Sequence, residues 1–125
     1  MPEARFEWRS IRLRKHADFQ RVYQASRRHS SASMTYFFRA RAAGEPAGAE
    51  PRIGLTTGRV LGGAVVRNRI RRRMREAVRM HASTLPLRID VVLHPRKQVV
   101  DLDFVRLEQE VSRVFAAIAA AGAKA

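Results

Sequence analysis

The chain has 125 residues, 46% of them hydrophobic, and carries 25 Lys and Arg against 11 Asp and Glu for a formal charge of +14. That length fits one domain closing around a small core of its own, and so large a charge excess, self-repelling in a compact body, calls for a polyanionic partner. With no cysteine present, disulfides, thiolate nucleophiles and Cys-ligated zinc are excluded.

The N-terminal stretch, residues 1–14, has no apolar run of the secretory kind, and residues 5–15 read as a basic arm. Phe19, Val22 and Tyr23 recur at i, i+3 and i+4, which predicts a short amphipathic helix over 16–25. Residues 27–33, rich in Ser and Arg, read as a loop. Tyr36, Phe37 and Phe38 then make residues 34–40 a strand. Residues 42–51 hold two prolines and two glycines, which excludes strand or helix interior and suggests a hairpin connector to a return strand over 52–57.

A glycine-bearing turn over 59–63 leads into a helix predicted for 64–81. On a helical wheel Val66, Ile70, Met74, Ala77 and Val78 gather on one face, with Arg71, Arg72, Arg75 and Arg79 opposite. Residues 88–93 read as a buried strand. The last helix, 101–119, has Leu107, Val111, Val114, Phe115 and Ile118 as its core stripe, with Asp101 or Asp103 capping its positive end. The tail, 120–125, is expected to fray. The longest apolar run, 114–121, is far short of the roughly 20 residues that span a bilayer, so a cytoplasmic protein with no membrane partner is expected.

The strongest local signal is seven arginines among positions 67–79 against the single acid Glu76. A solvated charged face normally interleaves both signs, and this one does not, which favours a stripe that tracks a phosphate chain. An anionic membrane is the rival polyanion, but the Arg-rich stretch lacks the wide apolar face that inserts into lipid. Arg far outnumbers Lys, which occurs only at 15, 97 and 124. The guanidinium fork suits phosphate, yet a GC-rich genome produces the same bias, so total charge carries the weight.

Phe19 and Tyr23 lie one turn apart, with Phe37 on the neighbouring strand. Such rings stack unpaired bases at about 1 to 3 kcal/mol each, although on composition alone an i, i+4 aromatic pair is more often core. His16, His29, His81 and His94 lack metal-type spacing, and surface or capping roles suit them better. Ser30, Ser31 and Ser33 belong to no triad pattern, the carboxylates form no acid–base pair, and the glycines of 58–63 lack the Gly-Lys-Ser/Thr ending of a phosphate loop. No protein-borne catalytic residue and no metal site is expected.

The stretch from Arg52-Ile53-Gly54-Leu55 through Gly62, Ala64-Val65-Val66-Arg67-Asn68-Arg69-Ile70-Arg71-Arg72 and Arg75-Glu76-Ala77 closely resembles the signature of the bacterial ribonuclease P protein component. Arg12-Leu13-Arg14-Lys15 with Asp18-Phe19-Gln20-Arg21-Val22-Tyr23 looks like the family's first helix. Asp90-Val91-Val92, Arg96 and Leu102-Asp103-Phe104 look like its last strand and helix start. The likeness spans about residues 11–118 in the family's order. Gly58-Arg59-Val60 stands where Ser-Lys-Lys is common, Gly63 where Asn often opens the helix, and Gln98 at a frequent proline.

The resemblance implies an α/β (α+β) fold: a single-domain two-layer sandwich over 1–125, ordered helix-strand-strand-strand-helix-strand-helix with a left-handed crossover. Ordinary handedness rules would give the opposite hand. The additional strand would come from dividing 34–40 and 52–57 differently. The resemblance also implies an RNA-binding subunit that assists a catalytic RNA and its Mg2+ in removing the 5′ leader from precursor tRNA, with no DNA partner. Phe19, Tyr23 and Phe37 would line a cleft for the single-stranded leader. Arg67, Asn68, Arg69, Arg71, Arg72 and Arg75 would face the catalytic RNA, with Arg12 and Arg59 completing the RNA-binding set. A ribosomal-type structural RNA-binding protein is the alternative.

Overall fold

The structure is a computed structural model describing residues 6–45 and 47–123. The elements in chain order are α1 (Trp8–Ile11), α2 (His16–Ala25), β1 (His29–Ser30), β2 (Met34–Ala40), β3 (Arg52–Leu55), α3 (Ala64–His81), β4 (Ile89–Pro95) and α4 (Phe104–Ala123). Short 3-10 turns occupy Arg59–Leu61, Ala82–Thr84 and Lys97–Val100.

The strands form one sheet in the order β1-β2-β4-β3. β4 is central because it is apolar on both sides: Ile89, Val91 and Leu93 face one way and Val92 the other, all buried. It pairs antiparallel with β2 and parallel with β3, α3 forming the crossover between the parallel pair. The alternation of strand side chains splits the apolar residues between the two faces. Met34, Tyr36, Ile53, Val91 and Leu93 join α3 and α4 in the main core, and Val92 packs with Leu13 and Val22 on the opposite face, under α2.

Both long helices match their predicted stripes. Ile70, Met74, Ala77 and Val78 of α3 are buried and Val66 partly so. All five α4 positions, Leu107 to Ile118 at helical spacing, are buried, Phe115 among them with none of its surface exposed. Asp103 rather than Asp101 caps α4: its carboxylate accepts from the Arg106 N–H at 3.4 Å. The helix runs to Ala123, four residues past the predicted end, so the described part of the expected frayed tail is helical.

Several expectations are corrected. Residues 42–51 are no hairpin connector, since β2 and β3 both pair with β4 and not with each other. The hairpin would need only two to five residues; ten suffice to cross the end of β4, a step of about 10 Å between second-neighbour strands. Arg41 pins this crossing by donating to the backbone oxygens of Gly48 and Glu50. The additional strand comes from the supposed loop at 27–33, not from a division of the strands at 34–40 and 52–57. There β1 pairs with β2 through a polar, two-residue edge that carries no apolar alternation, and His29 stacks on Tyr36 at 5.1 Å.

The supposed arm is docked over its described part. Ile11 and Leu13 are buried, and the Leu13 N–H donates to the Ile53 oxygen at 2.9 Å. This alternation buries two apolar side chains while leaving Arg12 and Arg14 outside. Gln98 donates from Nε2 to the Ala32 oxygen at 3.1 Å and ties the 3-10 turn before α4 to the β1–β2 connection.

Candidate nucleic-acid interface

On the α2 side, the sheet presents three rows of side chains across β2, β4 and β3. Arg39, Asp90 and Arg52 form the first and Phe37, Val92 and Gly54 the second. Thr35 and His94 form the third, joined by Thr56, whose N–H donates to the Leu93 oxygen at 3.0 Å. α2 lies on this face because Val22 is its buried contact, with Phe19 and Tyr23 flanking it on the same side. The Phe19 ring rests directly on the Gly54 backbone: a Cβ at Gly54 would stand 2.6 Å from two ring carbons. Only glycine admits that approach.

Tyr23 and Phe37 meet edge to face at 5.1 Å, and His94 completes the cluster at 5.7 Å from Tyr23 and 5.3 Å from Phe37. All three rings are half-buried. Each is held against the sheet and keeps part of its surface open. Beside them a cavity of about 400 Å³ is lined by Thr35, Thr56, His94, Arg28, Val60 and Lys97. Sequence reasoning missed His94 as a groove residue. The signal was there: it lies two positions after Val92 in a strand and so shares its face.

The Tyr23 hydroxyl and His94 Nε2 are 2.8 Å apart. Burial, with Arg28 adding repulsion, holds the His94 pKa below the usual 6.5; burial, with Arg27, does the same at His29. An unfolded chain with ordinary histidines therefore binds these protons first as the pH drops through about 6.5. Stability is full above that value and declines as the pH falls toward the depressed folded values. Urea unfolding at about pH 7.5 and about pH 5.5 is expected to show a lower midpoint in acid, and His29→Phe with His94→Phe to lessen the fall. An equal fall in the variant would exclude these two histidines as its source.

The second surface is the outer side of α3. The helix leaves a tight turn in which Gly62 has φ 131° and Gly63 supplies no capping side chain. The wheel placed the arginines opposite the core as a free stripe, and the structure corrects this, because many of them brace the fold. Arg69 donates from Nε to the Val100 oxygen at 2.8 Å. Arg73 donates to the Val99 and Leu102 oxygens and lies over the Phe104 ring. Arg71 donates to Asn68 at 2.7 Å and to the Thr57 hydroxyl at 2.8 Å, which brings the N-terminal half of α3 to the mouth of the groove. Arg75 lies over the Trp8 ring at 5.8 Å, and Arg79 donates to Glu76 and to the Phe6 oxygen.

Arg72 is exposed, and no side-chain hydrogen bond joins it or Arg67 to another described residue. Arg72 shares a hollow with Trp8, Arg9, Arg75 and Arg79. Arg9 in turn adjoins Arg12 and Arg14. The docked N-terminal segment thus extends the basic surface of α3 with three exposed guanidiniums. Arg59, also exposed, stands on the 3-10 turn before α3. Of the predicted residues, Phe19, Tyr23 and Phe37 lie in the groove, Arg12, Arg67, Arg69, Arg72 and Arg75 with the basic surface, and Arg59 on the turn before α3. Asn68 and Arg71 join the groove to the basic surface. Among the described residues no three His, Asp or Glu side chains gather as a protein-held metal requires, and no helix is long and apolar enough to cross a membrane.

The family model described as Ribonuclease P matches residues 8–119. The chain is 41% identical over 107 residues to the ribonuclease P protein component of Chloroflexus aggregans, covering 85% of this chain and 76% of that one. It is 35% identical over 107 residues to the counterpart from Symbiobacterium thermophilum, with coverage of 86% and 90%. Among solved structures, the Staphylococcus aureus RNase P protein aligns with a TM-score of 0.71 at 25% identity, over 86% of this chain and 94% of that one.

Proposed function

Because the chain belongs to the ribonuclease P protein family, we propose that it is the RNA-binding subunit of a ribonuclease P holoenzyme that removes the 5′ leader from precursor tRNA. The observation that carries this reading is the groove of half-buried rings, Tyr23 against Phe37 at 5.1 Å, opening beside a basic helix. Rings with one free face stack unpaired bases of any identity, as a single-stranded leader requires. Arg67, Arg72 and the N-terminal Arg9 and Arg12 supply cations that lower phosphate repulsion where catalytic RNA and substrate approach. The phosphodiester chemistry is assigned to the catalytic RNA with its Mg2+, and among the described residues no three His, Asp or Glu side chains gather as a protein-held metal requires. The protein's part is to bind, orient and screen.

Reconstitution with the catalytic RNA of the same organism tests this. At low magnesium the protein is expected to accelerate leader removal, and the holoenzyme to bind precursor tRNA more tightly than mature tRNA. Arg72→Ala should weaken binding to the catalytic RNA and lower the dependence of log affinity on log salt by about one unit, the signature of a lost phosphate contact. Equal cleavage with and without the protein would refute the reading.

A further inference from the structure

His94 lies on β4 in the third row of the groove, level with Thr35, and its ring stands against Tyr23 and Phe37. Its Nε2 is taken up by the Tyr23 hydroxyl at 2.8 Å. A phenol is the more acidic partner, so the O–H donates and Nε2 accepts, which places the imidazole proton on Nδ1. Nδ1 makes no hydrogen bond to another described residue, and it is not among the side-chain nitrogens sealed from solvent without a partner. The cavity it borders also carries the Thr35 and Thr56 side chains, with Arg28 and Lys97 at its rim.

We propose that His94 is a base-reading residue of the groove, donating its Nδ1–H to the polar edge of one unstacked nucleobase of single-stranded RNA held against Tyr23 and Phe37. This rests on the leader-binding reading above and sharpens it. The rings accept any base, and the imidazole adds a preference at one position. Its depressed pKa keeps the ring neutral at physiological pH, with one defined donor in place of a diffuse cation. Tyr23 then acts on this residue as well as stacking, because its hydroxyl selects the tautomer that points the donor outward.

The test uses the reconstituted holoenzyme and precursor tRNAs whose leaders carry each of the four bases at each position in turn. The wild-type protein is expected to prefer one base at a single leader position by about threefold to tenfold, the range one neutral hydrogen bond supplies. His94→Phe keeps the ring and removes the donor, and should bring the four leaders to equal affinity. His94→Asn, whose amide nitrogen falls near the Nδ1 position, should retain the preference. His94→Gln, which reaches the Nε2 position, should lose it. Nitrogen-15 NMR of the histidines should show protonated Nδ1 and bare Nε2 at His94. A preference that survives in the Phe variant, one kept by Gln and lost by Asn, or leader-dependent binding with no base preference anywhere would overturn the inference and leave leader binding standing. Equal wild-type affinity for leadered and leaderless tRNA would overturn both.

Discussion

Asp90→Ala is expected to cost about 3 to 5 kcal/mol of folding stability, the penalty for leaving a buried charge without its partner. Asp90 is 1% exposed and accepts from Arg41 at 2.7 Å and from Arg52 through Nε and Nη2, both at 2.8 Å, while Arg39 Nε stands 4.0 Å away. The side chain of Arg41 is itself 1% exposed. Its remaining bonds, to the oxygens of Ile89, Gly48 and Glu50, neutralise none of its charge. A small domain is stable by about 5 to 15 kcal/mol in total, so one carboxylate decides much of it.

Urea unfolding is the measurement. With a slope of about 1 to 3 kcal/mol per molar, the midpoint should fall by more than about 1 M. Asp90→Asn, which keeps one acceptor oxygen, should fall less. A loss under about 1 kcal/mol for the alanine variant would show that water reaches Arg41 and that the pair is not buried in solution. The cluster also bears on the groove. Arg52 bonds Asp18 of α2 at 3.3 Å as well as Asp90, so the same carboxylate helps seat the helix that carries Phe19 and Tyr23.

The second large effect concerns those rings. Tyr23→Ala or Phe37→Ala should each weaken binding of a leadered precursor by about 1 to 3 kcal/mol, the worth of one stacked base, or about fivefold to 150-fold in affinity. Because the two rings touch, the double variant should lose less than the sum of the singles. Comparing each variant on leadered and on mature tRNA checks it: the loss should appear with the leader, and an equal loss on both substrates would place the rings in the core alone. Tyr23→Phe keeps the stacking face, so its deficit should be much the smaller.

Much of the architecture was legible where local periodicity answers to burial. α3 and α4 carry their apolar residues at helical spacing, and the predicted stripe positions are buried but for a half-buried Val66. The strand partners were not legible. Residues 34–40 and 52–57 look like a hairpin until β4, more than thirty residues later, inserts between them, and the pairing depends on which strand can be buried on both faces. β1 escaped notice because a polar two-residue edge strand has no alternation to read. The role of Phe19, Tyr23 and Phe37 was undecidable from spacing, since an i, i+4 pair looks the same whether buried or half-open.

The basic α3 shows the same division. Its charge, and hence a polyanionic partner, was determined by the sequence alone, because net charge survives any fold. Which guanidiniums remain free for that partner was decided only by tertiary structure. Arg69, Arg71 and Arg73 reach backbone and side-chain acceptors brought close by the turn before α4 and the end of β3, and Arg72 reaches none. His94 is the sharpest case. Its identity is written in the chain, but its partner Tyr23 lies 71 positions away. A hydrogen bond of 2.8 Å between them exists only because α2 packs across the sheet face that Val92 and His94 share.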